Sequence, residues 1–562
     1  MLFRSYCFSI FAVVGLALLA SWFVAVIFTP FLGFKILPDI NPNAKHSELE
    51  VYQRGIYPRF RALVKGCLAH RWLVVISTLL VFVFSIVMFS YVEQQFFPFS
   101  NRPELVIDLW LPQGSSILAT EREAKKAEAL LKDNPDIVNF VSYVGAGSPR
   151  FYLPLDQQLE HDNFAEIVVL TQDSHARERV LEGLRKAFDK DFTLLRVRLN
   201  RLENGPPVGF PIQFRVSGRD IDKIRLIAEQ VATIMRGNPH TQDVHLDWGE
   251  PSKVLYHEVD QYKARVLGVS SQDISFALHT FLSGLDITEY REDNKLIEVL
   301  GRAEPGERKN PALVGEINIQ TRNGKSVPLS QLVYTRPGFE DGIIWRRNRF
   351  PTFTVRCDIR DDSQAPDVTA QIEPLLEPLR AKLPDGYRIE LGGAVESSQK
   401  AQDSINAVMP VMLFAVVTLL MIQLQSVRKT ILVLLTAPLG MIGVTFFLLL
   451  FKIPFGFVAT LGVIALAGMI MRNSVILVDQ IEHDISTGAA PLDAITEATV
   501  RRLRPILLTA AAAILAMIPL SESEFWGPMA VSIMGGLLVA TVLTLLFLPA
   551  LYAVWFNIAK KA

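Results

Sequence analysis

The sequence predicts a membrane protein with two parts. One is an α-helical bundle of about seven transmembrane helices, and the other is an α+β domain outside the membrane, with two ferredoxin-like βαββαβ units and an insertion. Two observations predict this fold class. Of the 562 residues, 50% are hydrophobic and only 20% are charged, and the apolar residues are gathered in long uncharged runs. In addition, one α/β pattern occurs twice between the second and third of these runs.

The uncharged runs account for the transmembrane helices. A helix needs about 20 apolar residues to cross a bilayer. The runs therefore predict spans near residues 7–29, 72–92, 405–426, 430–450, 456–481, 504–521 and 528–556. The alternative is a set of buried soluble helices, which would require several core helices without any charge. Only the fifth predicted span contains a charge well inside it, at Arg472.

Lysine and arginine residues are concentrated on one side of these spans. They occur in segment 31–71, at Arg428 and Lys429, and in the cluster 501–504. Because basic loops stay in the cytoplasm, we expect region 93–403 to lie outside it. Met1 then lies on the outer side, and we expect further helices to precede it. Within the basic segment, residues 51–68 predict an amphipathic helix, which either lies on the membrane surface or packs as a connecting helix on other helices.

The outer region carries the repeated α/β pattern. The first unit is predicted to have strands at 104–111, 137–144, 164–171 and 192–199, and helices at 116–132 and 175–188. The second unit begins with strand 211–217, helix 219–236 and strand 241–246, and it resumes with strand 351–359, helix 364–383 and strand 386–391. We therefore expect an insertion over 250–340 to interrupt the second unit.

Three motifs follow this region. They are GMIMRNSVILVD at 468–479, RRLRPILLT at 501–509, and MGGLLVAT at 534–541 followed by FLPAL at 547–551. Together with the layout, they resemble the C-terminal portion of a resistance-nodulation-division (RND) multidrug efflux transporter, of the branch that exports hydrophobic and amphiphilic compounds.

The resemblance implies a domain for each part of the chain. These are the family's sixth helix at 1–30, a cytoplasmic linker with an amphipathic helix at 31–71, the seventh helix at 72–92, a first porter subdomain at 93–205, a second at 206–249 and 341–395, a docking insertion at 250–340, and the eighth to twelfth helices at 396–557.

Arg472 is the most informative single residue. A charge at the centre of a membrane helix costs roughly 2.5–3.5 kcal/mol on insertion scales, so we expect Arg472 to face the bundle interior and an anionic partner. The alternative is an arginine that reaches the interface from near a helix end. The resemblance implies a proton relay of Arg472, Asn473, Arg502 and Thr509.

The family pairs the residue at the position of Arg472, usually a lysine, with two aspartates of its fourth helix. That helix would precede Met1. An arginine keeps its proton at all relevant pH values, so Arg472 is expected to be a fixed counter-charge. From the residues alone, the favoured explanation of Arg502 is a positive-inside anchor together with Arg501 and Arg504. The alternative for Thr509 is a hydroxyl bonded to its own helix.

The substrate path is predicted in the outer region. Phe151 and Tyr152 lie in the Gly- and Pro-rich segment 145–154, which resembles the family's switch loop, and exposed aromatic residues suit apolar ligands. The alternative is an ordinary loop anchored by its two aromatic residues. Phe140, Tyr143 and Phe164 either line the same cleft or belong to the core.

Other classes of protein are less well supported. Gly324-Lys325-Ser326 lacks the earlier glycine of a nucleotide-binding loop, since residue 319 is Ile. A copper or silver exporter needs soft ligands, and Met235 is the only methionine in region 93–403. A non-transporting subunit that assembles with an intact pump stays open. No enzyme and no cofactor is expected beyond the proton gradient.

The resemblance also implies partners and a location. They are the bilayer of the bacterial inner membrane, a homotrimer, a periplasmic adaptor protein, an outer-membrane channel and the N-terminal half of the transporter. The substrates are expected to be drugs, detergents and biocides.

Overall fold

The computed structural model describes residues 2–36, 52–53, 55–98, 100–361 and 363–558. These residues form two units. The larger unit contains residues 1–111, 117–247 and 345–562, and the smaller contains 112–116 with 248–344. The larger unit holds the long apolar helices and two α/β sheets, and the smaller unit contains the predicted insertion at 250–340, a few residues on either side of it, and residues 112–116.

The N-terminal part of the larger unit is helical. A π-helical turn at Val24–Phe28 joins the first two helices, and the four helices are α1 Leu2–Phe23, α2 Thr29–Ile36, α3 Tyr57–Ala69 and α4 Arg71–Phe89. Helix α3 falls within the predicted amphipathic segment, of which Val51 and Arg54 lie outside the described residues. Its Val64 and Leu68 are buried, and Arg61 Nε contacts Glu497 Oε1 at 2.8 Å. The segment thus packs on other helices, as the second interpretation of it requires.

The first α/β sheet has the predicted βαββαβ order of elements. They are β1 Glu104–Trp110, α5 Ile117–Leu131, β2 Ile137–Val144, β3 Phe164–Thr171, α6 Ser174–Asp191 and β4 Arg196–Arg201. The strands are antiparallel in the order β2-β3-β1-β4. The prediction that the last strand begins at 192 was wrong. Phe192 is buried, and its ring packs on Phe188 at 4.8 Å, so it closes the core beneath α6 before the chain turns.

The two faces of this sheet differ in what covers them. Alternate residues of a strand point to opposite faces. Leu105, Ile107 and Leu109 face the apolar core beneath α5 and α6. On the opposite face, Val106 packs with Leu155 of the loop that follows β2 and with Leu202, which follows β4. Asp108 therefore points to the face that this loop covers.

The second sheet begins with three elements, which are β5 Ile212–Ser217, α7 Ile221–Arg236 and β6 Thr241–Leu246. The chain then enters the smaller unit. Its strands pair as β7 with β12, β8 with β9 and β10 with β11. Its elements are β7 Ser252–Val259, α8 Gln261–Leu267, α9 Ser271–Leu282, β8 Leu285–Glu292, β9 Lys295–Gly301, α10 Pro305–Arg308, a 3-10 turn Pro311–Glu316, β10 Asn318–Gln320, β11 Ser326–Pro328, a 3-10 turn Leu329–Gln331 and β12 Val333–Glu340.

The tripeptide Gly324-Lys325-Ser326 lies in the hairpin between β10 and β11. The Gly324 amide donates to the Thr321 carbonyl oxygen at 3.0 Å, and Gly324 has a φ of +71°, which favours glycine. The tripeptide is thus accounted for as a turn.

The second sheet resumes after the insertion. Its remaining elements are β13 Arg346–Arg347, β14 Phe350–Ile359, α11 Ala365–Arg380 and β15 Arg388–Gly392. The strand order is β13-β14-β5-β15, and β6 pairs with β14. The strands β5 and β14 are neighbours in the sheet, but the whole insertion lies between them in the sequence. Their pairing therefore could not be predicted from the order of consecutive elements.

Six helices complete the larger unit. A 3-10 turn at Ala437–Gly440 separates the second from the third, and the helices are α12 Gly393–Leu424, α13 Val427–Leu434, α14 Met441–Phe451, α15 Phe457–Ser486, α16 Pro491–Ser521 and α17 Gly527–Trp555. The span predicted at 430–450 corresponds to the apolar segment Val427–Phe451. The 3-10 turn within it contains Pro438, which lacks an amide hydrogen to continue the helix.

Seven helical segments of the described chain are long and apolar enough to cross a membrane. The N-terminal segment Ala12–Ile36 has no buried residue in its most apolar stretch, whereas α17 is largely buried. Close backbone packing holds α17 against α14. A Cβ atom added to Gly443 would lie 2.1 Å from the Gly535 carbonyl oxygen.

Candidate functional site

Arg472 lies at the middle of α15. It is the sixteenth of the 30 residues of Phe457–Ser486, so about 20 Å of helix extends to each side of it at 1.5 Å per residue. An arginine that reaches the interface from a helix end would be expected nearer to one terminus. The position therefore favours a charge at membrane depth.

The side chain of Arg472 points away from the helices of this chain. Positions Ile470, Asn473, Ser474 and Leu477 of α15 are buried, whereas Arg472 is exposed. The prediction that Arg472 faces the interior of the bundle is therefore not met by the described helices. Apolar and small polar side chains occupy the interior positions. Around the helix, Arg472 lies about a quarter to nearly half a turn from these positions.

Arg472 belongs to an exposed stripe of α15. We call the stripe the Arg472 face; its members are Ala465, Gly468, Arg472, Ile476 and Asp479, which recur at three- or four-residue spacing and are all exposed. No atom lies within 4 Å of the place where a Cβ of Gly468 would be. Small residues at this spacing let another helix approach closely.

The two charges on the Arg472 face have no partner among the residues that the structure describes. Neither Arg472 nor Asp479 makes an ion pair or a side-chain hydrogen bond there. They are seven residues apart, about 10 Å along the axis. A cation at membrane depth without an anionic partner is unfavourable.

Asn473 points into the bundle, next to Ser474. Asn473 is 5% exposed and Ser474 is fully buried, and Ser474 Oγ lies 3.0 Å from Thr436 Oγ1. The structure thus places Arg472 and Asn473 on different sides of α15. Asn473 is positioned to fix the contact of α15 with its neighbours, and Arg472 is exposed.

The other two predicted relay residues lie on α16, near a polar network. Arg502 Nη2 donates to Gln480 Oε1 at 2.8 Å, and Gln480 Nε2 donates to Asp484 Oδ1 at 3.0 Å. Asp484 also pairs with Arg501. Gln480 is eight residues beyond Arg472 on α15, so Arg502 is held about two turns from it.

Thr509 is exposed and bonds to its own helix. Its Oγ1 donates to the carbonyl oxygens of Pro505 and Ile506, both at 3.0 Å. Thr509 thus has the geometry of the alternative to a relay role, a hydroxyl bonded to its own helix. The structure therefore brings Arg502 to the end of α15 but brings neither Arg502 nor Thr509 into contact with Arg472.

The loop that carries Phe151 and Tyr152 is anchored over the first sheet. Tyr152 Oη donates to Asn204 Oδ1 at 3.2 Å, and Arg102 lies over its ring at 4.9 Å. Phe151 is 43% exposed. Tyr152 is thus a fixed point of the loop, and Phe151 is the aromatic side chain that remains available to a ligand.

The other aromatic residues near this loop belong to the sheet. Phe164 is fully buried and stacks with Trp110 at a centroid distance of 4.4 Å. Phe140 packs against the core below the helices. Of the three unassigned residues, these two are core residues, and Tyr143 is half-buried on β2.

A cleft of about 1030 Å³ lies between the two α/β sheets. Its lining combines carboxylates and arginines with a few aromatic rings; it includes Phe97, Glu178, Arg185, Arg198, Glu203 and Asp358. Burial raises the pKa of the Glu203 carboxyl to about 7, while Val208 N and Arg198 oppose the rise. The cleft can thus hold partly polar molecules, and its charge depends on pH near neutrality.

Sequence reasoning missed this charged lining. The signal was present in β4, where Arg196 and Arg198 alternate with apolar residues in RVRLNR, because such alternation places both arginines on one face. Asp358, the partner of Arg198, could not be found in this way, since it belongs to a strand 160 residues away.

Within the described ranges, no group of three or more His, Cys, Asp or Glu side chains is arranged to hold a metal ion. Met235, the single methionine of region 93–403, is fully buried in the core under α7.

Similarity to known proteins extends over most of the chain. The profile of the AcrB/AcrD/AcrF family matches residues 2–555. One similar solved structure is described as "X-ray crystal structure of a heavy metal efflux pump, crystal form II"; it has a TM-score of 0.73 and 22% identity, over 88% of this chain and 51% of that chain. Crystal form I of such a pump has a TM-score of 0.74 and 21% identity, over 91% and 53%.

The likeness to these pumps is a likeness of fold. The chain spans about half the length of the solved structures that it matches.

Proposed function

The chain belongs to the AcrB/AcrD/AcrF family of RND transporters, and from this premise we propose that it is the C-terminal part of a proton-driven exporter of hydrophobic and amphiphilic compounds. In this proposal the two sheets are ferredoxin-like porter subdomains in the periplasm, and the apolar helices lie in the bacterial inner membrane. The observation that carries the proposal is the exposed Arg472 in the middle of α15, which has no ion-pair partner among the residues that the structure describes.

The charge of Arg472 requires an anionic partner at the same depth. Leaving a cation unpaired at the bilayer centre costs roughly 2.5–3.5 kcal/mol on insertion scales. The Arg472 face has the small residues Ala465 and Gly468 that would admit a second helix. We infer that a helix with paired carboxylates packs there, and that protonation of these carboxylates weakens their attraction to Arg472.

Such a change in attraction would couple proton entry to helix movement. Arginine keeps its own charge, so the carboxylates carry the proton and Arg472 supplies a constant field. Arg502, held by Gln480, is assigned to the far end of the path, and Asn473 and Thr509 border it. These roles follow the family resemblance and stay proposals.

In this proposal the substrate path lies in the porter region. Phe151 is exposed on a loop whose neighbouring residue Tyr152 is fixed, which suits contact with apolar molecules. The cleft between the sheets would accept the polar parts of amphiphilic compounds. Assembly as a trimer with a periplasmic adaptor and an outer-membrane channel is part of the same proposal.

The proposal is tested by replacing Arg472 in cells that also produce a polypeptide with the carboxylate-bearing helices. Arg472→Ala should reduce dye efflux to the level of cells without the transporter, at unchanged amounts of protein in the membrane. Arg472→Lys, which keeps the charge, should retain part of the efflux. Full efflux in Arg472→Ala would refute the assigned role.

Export of heavy metals is the second candidate, because the similar solved structures are described as heavy metal efflux pumps. Buried Met235 offers no ligand to a passing ion, and the described residues contain no cluster of three or more His, Cys, Asp or Glu side chains that could hold a metal ion. Copper, silver or zinc resistance that appears with the complete transporter and without dye efflux would favour this candidate.

A non-transporting subunit is the third candidate. It predicts that efflux by an intact pump changes when this chain is present, and that Arg472→Ala changes nothing. Dye efflux and metal resistance, measured with the parent chain and with Arg472→Ala, therefore distinguish the three candidate functions.

A further inference from the structure

Two carboxyl side chains lie side by side beneath the loop that carries Phe151. Asp108 of β1 and Glu166 of β3 are directly opposite each other in the antiparallel register. Asp108 is 6% exposed and Glu166 is 2% exposed. Directly opposed residues of neighbouring strands have Cβ atoms about 4.5–5.5 Å apart, and like charges there repel.

The same pair fastens the loop. The amide of Ser148 donates to Glu166 Oε1 at 2.9 Å, three residues before Phe151. Asp108 Oδ1 and Ser148 Oγ are both buried and make no hydrogen bond within the described chain. The loop is thus tied to one carboxylate, and the neighbouring carboxyl oxygen has a free bonding position.

We propose that Asp108 binds a proton beside Glu166, and that this proton keeps the Phe151 loop closed over the sheet. With the proton on Asp108, Glu166 alone is charged and accepts the Ser148 amide. When the proton leaves to the surrounding water, two adjacent buried carboxylates remain. Their repulsion is relieved when the loop lifts and water reaches them, which breaks the contact between Ser148 and Glu166.

The surrounding charges do not neutralise the pair. Asp108 faces Glu166 from β3, Arg198 from β4, Asp156 from the loop and Asp358 from β14. Arg198 is the one cation in this set, and it is already bonded to Asp358. Arg196, two residues before Arg198 on β4, forms an ion pair with Asp243. Beside Glu166, on β2, the residue in register is Tyr143.

The titration range follows from burial. Burial and the charge of Glu166 raise the pKa of Asp108 from 3.8 to about 7, although Arg198 opposes the rise. A carboxyl whose pKa is raised in the closed state stabilises that state fully below its ordinary pKa, and this contribution is lost as pH rises through the raised value. The loop should therefore be closed in acid and open above about pH 7.

A fluorescent label at the loop tests the inference on the full chain. Phe151→Cys is introduced after Cys7, Cys67 and Cys357 are replaced by alanine, and an environment-sensitive dye is attached. A second labelled chain carries Leu194→Cys, a site that is 83% exposed in the parent chain. Between pH 5 and 9, the dye at 151 should show a transition centred near 7, and the dye at 194 should show none.

Neutral variants assign the transition to the pair. Asp108→Asn mimics the protonated carboxyl and should give the closed signal at every pH. Glu166→Gln removes the charge but keeps an oxygen for the Ser148 amide, so it should abolish the transition as well, which gives a second test if Asp108→Asn folds poorly. Glu203→Gln is the matched control, because Glu203 also titrates near neutrality but does not anchor the loop. The fluorescence transition of the dye at 151 should persist in this variant.

Two results would overturn the inference. One is the absence of a transition in the parent chain, and the other is a transition that survives in both neutral variants or is lost only in Glu203→Gln. The place of the loop on the substrate path rests on the proposed function, but the fluorescence does not. A transition in a protein that never exports would refute the proposed function alone, and export without a transition would refute this inference alone.

Discussion

Arg198 of β4 and Asp358 of β14 form a bidentate ion pair that joins the two α/β sheets. The Arg198 Nε and Nη2 atoms lie 2.7 and 2.9 Å from the two carboxylate oxygens. Nη2 also donates to the Gly209 carbonyl oxygen at 2.7 Å, and the guanidinium lies 3.9 Å from the centre of the Phe210 ring. The guanidinium is thus bonded in its plane and stacked on its face.

Breaking this pair from one side should be costly. The side chains of Arg198 and Asp358 are 8% and 25% exposed. Arg198→Met would leave the Asp358 charge largely buried and unpaired, so we expect the free energy of unfolding to fall by about 3 kcal/mol. The double variant Arg198→Met with Asp358→Leu should recover most of this loss, because no charge then remains unpaired.

The control for the ion pair is Glu121→Gln. Lys125 and Glu121 form an exposed pair on α5, with side chains 67% and 43% exposed, and such pairs contribute little. Chemical unfolding of the purified chain should show no change for this control. An equally small change for Arg198→Met would show that the pair does not hold the sheets together.

The Glu203 carboxyl should make the stability of the chain depend on pH. Burial raises the pKa of this group from 4.5 to about 7, with Asp156 and Asp358 adding to the effect. Its contribution to stability is complete below its ordinary pKa and is lost as pH rises through about 7. Glu203→Gln keeps an oxygen for the Val208 amide, which donates to Glu203 Oε2 at 3.0 Å, and removes the charge.

Glu203→Gln should therefore be more stable than the parent chain at pH 8, by up to about 3 kcal/mol at 1.36 kcal/mol per pKa unit. At pH 5, just above the ordinary pKa of 4.5, the difference should shrink to less than about 1 kcal/mol, since the carboxyl is then mostly protonated in the folded state. Unfolding experiments at the two pH values provide the measurement. The same difference at both values would mean that Glu203 does not titrate as its burial requires.

Local patterns predicted the elements well but not their lateral contacts. The strands at 137–144 and 164–171 were found to the residue, because strand alternation is a property of adjacent residues. The ion pair of Arg198 and Asp358 spans 160 residues, and no local pattern contains it. The same holds for the cleft between the sheets.

The orientation of Arg472 was also beyond local prediction. Its depth follows from the length of the uncharged run on each side. Its direction does not, because α15 is apolar all round and lacks the one-sided pattern that identifies a buried face. Only the packing of α15 on Thr436 and on α17 shows that Asn473 and Ser474 point inward and Arg472 outward.

Gly468 offers a test of whether another helix covers the Arg472 face. Nothing lies within 4 Å of its Cβ position, whereas a Cβ on Gly443 would collide with the Gly535 backbone. Gly468→Leu should therefore leave membrane insertion and unfolding of this chain unchanged, while Gly443→Leu should disrupt the contact between α14 and α17 and lower stability strongly.

In the complete transporter the two glycine variants should separate function from folding. The leucine at 468 would occupy the space that a helix with carboxylates needs beside Arg472, so dye efflux should fall at least roughly tenfold, which corresponds to about 1.4 kcal/mol of lost coupling. Gly468→Ala, which adds one methyl group, should retain most of the efflux because small residues still permit close approach. Unchanged efflux in Gly468→Leu would mean that no helix packs on this face, and the anionic partner of Arg472 would then have to come from another direction.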